Sequence, residues 1–210
     1  MRHLATFIIV GVVIGIALGV GAVAYVTSTG LSARPQPGAL ETRIARAVRG
    51  LAVPRATKRR RNPVAASPEV VAEGRAHFAD HCASCHANDG SGSVEMGRGL
   101  FPKAPDMRQA VTQELTDGEL FYIIENGVRF TGMPAWSTGT PAGETSTWHL
   151  VHFIRRLPLL TPEDIERMEA LNPRSPEEIR QQIEEERFLR GDGDATPLPS
   201  PTHEHTGAHP

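Results

Sequence analysis

The run HCASCHANDG (81–90) constrains this chain more than any other stretch, because Cys82 and Cys85 are the only cysteines among its 210 residues. With no other sulfur to pair with, a Cys-x-x-Cys-His group has three uses. It attaches a haem through two thioethers and offers the histidine to the iron. It works as a redox dithiol, which needs a βαβ setting. Or it is half of a zinc site, which needs a second pair of ligands. Only the haem use requires a histidine directly after the second cysteine, so that reading leads. A chance Cys-x-x-Cys on a surface helix is the bland alternative.

The stretch LATFIIVGVVIGIALGVGAVAYV (4–26) runs 23 residues without a charge. About 20 suffice for a helix to cross the hydrocarbon core. The AVA at 22–24 resembles a leader cleavage site, but the apolar region is longer than the roughly 7–15 residues of such leaders. Residues 1–27 are therefore expected to form a retained transmembrane anchor. Gly11, Gly15 and Gly19 share one face at the spacing that lets membrane helices approach closely. Glycine is common in such helices, so no dimer is expected on that ground.

Residues 28–67 carry nine Arg or Lys against one acid, Glu41. Leu40, Ile44, Val48 and Leu51 recur at helical spacing with arginines between them, which predicts a short basic amphipathic helix. Such a helix either lies on an anionic membrane surface or packs on a globular domain, and the sequence favours neither. PRATKRRRNPVAASP then reads as a linker broken by proline and charge. Arg34, Arg43 and Arg46 beyond the anchor outnumber Arg2 before it, and by the positive-inside rule alone they put the body of the protein in the cytoplasm. Covalent haem attachment in bacterial c-type cytochromes occurs on the other side of that membrane. The attachment motif is the more specific signal, so the domain is expected on the periplasmic face of a bacterial inner membrane.

The predicted core domain spans 68–160 and is all-α, since no run alternates at period two. Ser67 caps its first helix with Pro68 at the first helical position, and that helix delivers Cys82. Residues 87–107 read as loop. TDGELFYIIENG is a helix with Thr116 and Glu119 in capping-box relation and Gly127 as its stop. VRFTGMPAWSTGTPAG is loop again, and TSTWHLVHFIRRL is the last core helix. Two further helices with thin apolar stripes (161–190) are expected to be peripheral. Residues 191–210 form a Pro-rich tail expected to be disordered. Its His203, His205 and His209 are either weak metal ligands or, more simply, solvated side chains.

A haem iron wants a sixth ligand, and a Met/His pair makes an electron carrier. Met168 falls outside the predicted domain, and Met96 lies only ten residues beyond His86. Met133, in the loop TGMPAW with Pro134 stiffening it and Trp136 available to cover the haem, is the preferred candidate over Met107 and Met96. His77, His81, His149 and His152 are explained more simply as packing or surface residues than as a second metal site.

With these motifs in place, the chain from Glu69 to about Leu160 resembles a class I cytochrome c domain. EGRAHFADHCASCH matches that family's first helix and attachment motif, GVRFTGMPAW its axial-methionine loop, and WHLVHFIRRLP its last core helix. The resemblance implies one covalent haem c, a close crossing of helices at Gly74, and packing of Phe78 against Val151, Phe153 or Ile154. It also implies that a proline carbonyl, of Pro102 or Pro105, accepts the proton of the axial histidine. The implied function is single-electron transfer between redox proteins, with neither nucleic acid nor a small-molecule substrate. The domain's excess of acids, eleven against seven bases, suits a partner with a basic docking patch. The rivals are a haem sensor or peroxidase-like enzyme with a displaceable sixth ligand, a metal-binding module built on the histidine tail, and a subunit of a larger oxidase or dehydrogenase.

Overall fold

The computed structural model describes residues 2–190, which are helical with no strand among them. The histidines at 203, 205 and 209 lie outside the described residues. The chain divides into two units, residues 1–171 and 172–210. The first begins with α1 (Arg2–Thr29), whose residues 3–28 are apolar and long enough to cross a membrane. Its described side chains are all exposed, and nothing lies within 4 Å of a side chain placed at Gly11, Gly15 or Gly19. After it comes α2 (Ala39–Ala52), which buries none of its residues.

The helical core starts at α4 (Pro68–His77), after the short α3 (Arg55–Lys58). The Ser67 hydroxyl accepts the amide of Val70 at 3.2 Å, and Pro68 opens the first turn. The helix does not run straight to Cys82 as its sequence suggests. A π turn over Phe78–Cys82 inserts an extra residue before α5 (Ala83–His86), a feature that recurs at functional sites. Downstream come α6 (Glu95–Gly99), α7 (Ala110–Gln113), α8 (Asp117–Asn126) and α9 (Pro141–Arg156). The α9 helix begins earlier than the apolar pattern indicates. Thr140 caps it by accepting the amide of Gly143 at 3.1 Å, and Pro141 fits the first turn.

The α4 and α9 helices form the heart of the domain. A β-carbon on Gly74 would stand 2.2 Å from the carbonyl oxygen of His149, so the helices cross backbone to backbone. One turn on, Phe78 and Phe153 pack with ring centroids 5.2 Å apart, and both are fully buried. These are the contacts that the resemblance implied.

The α6 helix also forms inside the stretch 87–107, expected to be loop, and two larger regions depart from the sequence reading. The basic stretch 53–66, expected to be a linker, is strapped to the domain. Val53 is buried, and the α3 backbone lies against Gly118 of α8. Arg60 lies 4.5 Å from the Phe121 ring centre and 5.2 Å from that of Trp148, and these two rings stack 4.2 Å apart. Asn62 donates to the carbonyl of Trp148 at 2.9 Å, and the His152 ring nitrogen meets the carbonyl of Val64 at 2.8 Å. The charges that suggested an unstructured linker instead find aromatic and acidic partners on α8 and α9. The second departure is α10 (Pro162–Glu169). It is not merely peripheral, because Met168 is fully buried in the same apolar cluster as Phe78 and Phe153, and Arg75 pairs with Asp164 at 3.6 Å. In the second unit, α11 (Pro176–Leu189) is capped by Ser175 and Glu178 and leaves Ile179 and Ile183 exposed.

Candidate metal centre

Cys82 ends the π turn, and α5 carries Cys85 and His86 one helical turn further on. Both thiols are free and half-buried. Burial, and then the neighbouring Cys85, push the Cys82 thiol up to about 12. A catalytic dithiol needs the opposite shift, because the thiolate is the nucleophile. The redox-dithiol reading also lacks its βαβ setting, since no strand occurs among the described residues. Those residues likewise contain no group of three or more His, Cys, Asp or Glu able to hold a metal ion, which leaves the zinc reading without its second pair.

The His86 side chain is largely enclosed, and burial lowers its pKa while the backbone carbonyl of Pro105 raises it. Its Nδ1 is buried and has no hydrogen-bond partner among the described residues, while the carbonyl of Pro105 is close enough to act on the ring. Sequence left Pro102 and Pro105 undecided, and the carbonyl acting on His86 is that of Pro105. A ligand histidine usually gives one ring nitrogen to an oxygen of its surroundings and the other to the metal. A buried Nδ1 facing a backbone carbonyl fits that arrangement, and the two adjacent thiols fit thioether attachment.

The loop that carries Pro105 is held by an acidic latch that sequence reasoning missed. Arg108 donates to both carboxylate oxygens of Asp106, at 2.8 and 3.0 Å, and to Asp89 at 2.8 Å. The Arg108 guanidinium holds the Asp106 carboxyl down at about 2. Closer in, a β-carbon on Gly97 would lie 2.1 Å from the carbonyl oxygen of Cys85, so α6 approaches the cysteine turn more closely than any side chain permits. The one available sign of the latch was the Asp-x-Arg spacing at 106–108.

Among the methionines, Met107 packs against the core, and Met96 is 59% exposed. Met133 is half-buried in the loop after Gly127, whose φ of +65° suits glycine. That loop is braced on its own backbone: the Val128 amide donates to the Met133 carbonyl at 3.0 Å, and the Met133 amide to the Thr131 hydroxyl at 3.1 Å. Trp136 donates its amide to Ile124 of α8 at 3.0 Å, and its ring meets that of His81 edge-on at 5.5 Å.

Behind the site, α9 is stitched to the turn before α8. Arg155 donates to the carbonyls of Gln113 and Leu115 and to Asp117 at 2.5–3.1 Å. The Thr147 hydroxyl donates to the buried carboxylate of Glu125 at 2.5 Å.

Residues 69–154 match the family model for cytochrome c oxidase, cbb3-type, subunit III. A curated relative, the cbb3-type cytochrome c oxidase subunit FixP of Rhizobium meliloti (strain 1021), is 39% identical over 70 residues. That match covers 33% of this chain and 22% of the relative.

Proposed function

We propose, on the premise that residues 69–154 are a c-type cytochrome domain, that this membrane-anchored chain carries single electrons on one haem c. Cys82 and Cys85 would hold the haem as thioethers, and His86 and Met133 would be the axial ligands. The observation that carries this reading is the Cys-x-x-Cys-His turn with its histidine Nδ1 buried against a proline carbonyl. When bound, the haem supplies a reversible one-electron change at its iron.

The protein's own residues do the positioning. Pro105, fixed through Asp106 and Arg108, orients the His86 ring. The braced loop at 127–133 presents Met133 with little freedom, which favours a filled sixth position over an open one. The domain faces the periplasm, where covalent attachment takes place, with α1 as its anchor. Acidic surface steers a basic docking partner toward it, and the relative's name suggests a membrane-bound cbb3-type oxidase as the class of that partner.

The test is to express the full chain with haem-maturation machinery and take spectra of washed membranes. A covalent low-spin haem that ignores carbon monoxide supports the carrier. A high-spin spectrum, or one that shifts with carbon monoxide, replaces the carrier with a sensor or peroxidase-like enzyme. Absence of covalent haem overturns the reading.

A further inference from the structure

The α2 helix shows its apolar stripe to solvent: Leu40 is 71% exposed, Ile44 55%, Val48 58% and Leu51 86%. A helix packed on the domain by this stripe would have buried it. The opposite side is the enclosed one. At about 100° per residue, Thr42 and Arg49 fall together across the helix from the stripe, and both are half-buried. Burial and Arg46 lower the pKa of Arg49, while Glu119 on α8 raises it, so the polar back of α2 faces the haem domain. The apolar front faces away from it.

The placement says what covers that front. Only residues 30–38 separate α2 from the end of α1, a reach of about 30 Å when fully extended. The helix therefore stays close to the surface of the membrane that α1 crosses. Arg34, Arg43, Arg46, Arg55, Arg59 and Arg61 on this segment are exposed, which suits an anionic surface. An amphipathic helix with an apolar stripe and a basic polar side lies in the headgroup plane.

We propose that α2 docks on anionic phospholipid, with Leu40, Ile44, Val48 and Leu51 inserted below the headgroups and Arg43, which flanks the stripe, at the phosphates together with Arg34 of the preceding segment. Val53 and the strap at 53–66 then carry that contact rigidly into the haem domain. The helix thus fixes the orientation of the domain on the membrane, a role separate from electron transfer.

Hydrogen exchange on the full-length, haem-loaded chain in lipid nanodiscs tests this. Discs of phosphatidylcholine alone are compared with discs that also contain phosphatidylglycerol. The α2 amides should exchange about ten-fold more slowly in the anionic discs, since a docked helix opens less often. Arg34→Gln with Arg43→Gln should erase the difference between lipids. Ile44→Glu with Val48→Glu should speed exchange in both, with the α9 amides unchanged as proof that the domain is folded. Equal rates for the native chain in the two lipids overturn the proposal. So does protection that survives Ile44→Glu with Val48→Glu, or that requires a second copy in the disc or an added oxidase.

Discussion

The carbonyl oxygen of His149 lies 2.2 Å from where a β-carbon on Gly74 would stand, so α4 and α9 meet with no room for a side chain. Gly74→Ala must push the helices apart. Overpacking costs about 1–3 kcal/mol, against a gain of about 1 kcal/mol in helix propensity. Because the clash is with backbone that has no rotamer to move aside, the upper end of that cost applies and a net loss of about 2 kcal/mol is expected, read as a lower denaturation midpoint. A midpoint at or above the native value would contradict the crossing.

Arg155 should matter more than its position at the domain surface suggests. Its planar fork reaches two carbonyls and a carboxylate at once, and charge-assisted bonds are worth about 1.5–3 kcal/mol each at most. Arg155→Ala should cost about 3 kcal/mol in chemical unfolding. Arg155→Lys should recover less than half of that, because an ammonium cannot span the three acceptors.

The Asp106 latch predicts an acid limit. Its folded pKa lies below the ordinary carboxylate value, so its contribution is complete above about pH 4. It is lost as the pH falls toward 2. The native chain should therefore lose stability in that window faster than Asp106→Asn, measured as the difference between their unfolding curves. A constant difference between them across the window would contradict the assignment.

The methionines should separate cleanly by spectroscopy. Met133→Ala should open the sixth position, giving a carbon monoxide response and loss of the far-red sulfur-to-iron band. Met107→Leu should keep both properties of the native spectrum and cost under about 1.5 kcal/mol, as volume-conserving swaps in a core do. The opposite result for the two substitutions would move the ligand to Met107.

Trypsin offers a test of the strap. Lys58, Arg59, Arg60 and Arg61 are four consecutive cleavage sites, and a free linker would be cut there at once. The bond from Asn62 to Trp148 and the seat of Arg60 on Phe121 and Trp148 should protect them. Asn62→Ala should speed cleavage several-fold, with the opening equilibrium setting the rate.

The helices and the cysteine turn were legible because their signals are local. Ser67 before Pro68, Thr116 three residues before Glu119, and Cys-x-x-Cys-His all act within one or two turns. The strap was not legible, since charge and proline describe a linker equally well until Phe121 and Trp148 are brought under Arg60 by the fold. Met168 was missed for a similar reason: its helix has a thin stripe, and only the tertiary arrangement delivers one side chain into the core. That Pro105 rather than Pro102 acts on His86 is a matter of tertiary placement, in a loop that Arg108 ties to Asp89, nineteen residues away. Such a pairing has no periodic signature.

The shortness of residues 30–38 changes the kinetics available to the domain. With the strap removing slack on its far side, the whole tether from α1 is nine residues, and a short tether holds a module at millimolar effective concentration around its attachment point. The domain is thereby confined to a small volume around the end of α1, and its chance of meeting anything held in that volume is set by the tether. Lengthening this tether would dilute the encounter, roughly as the −3/2 power of its length.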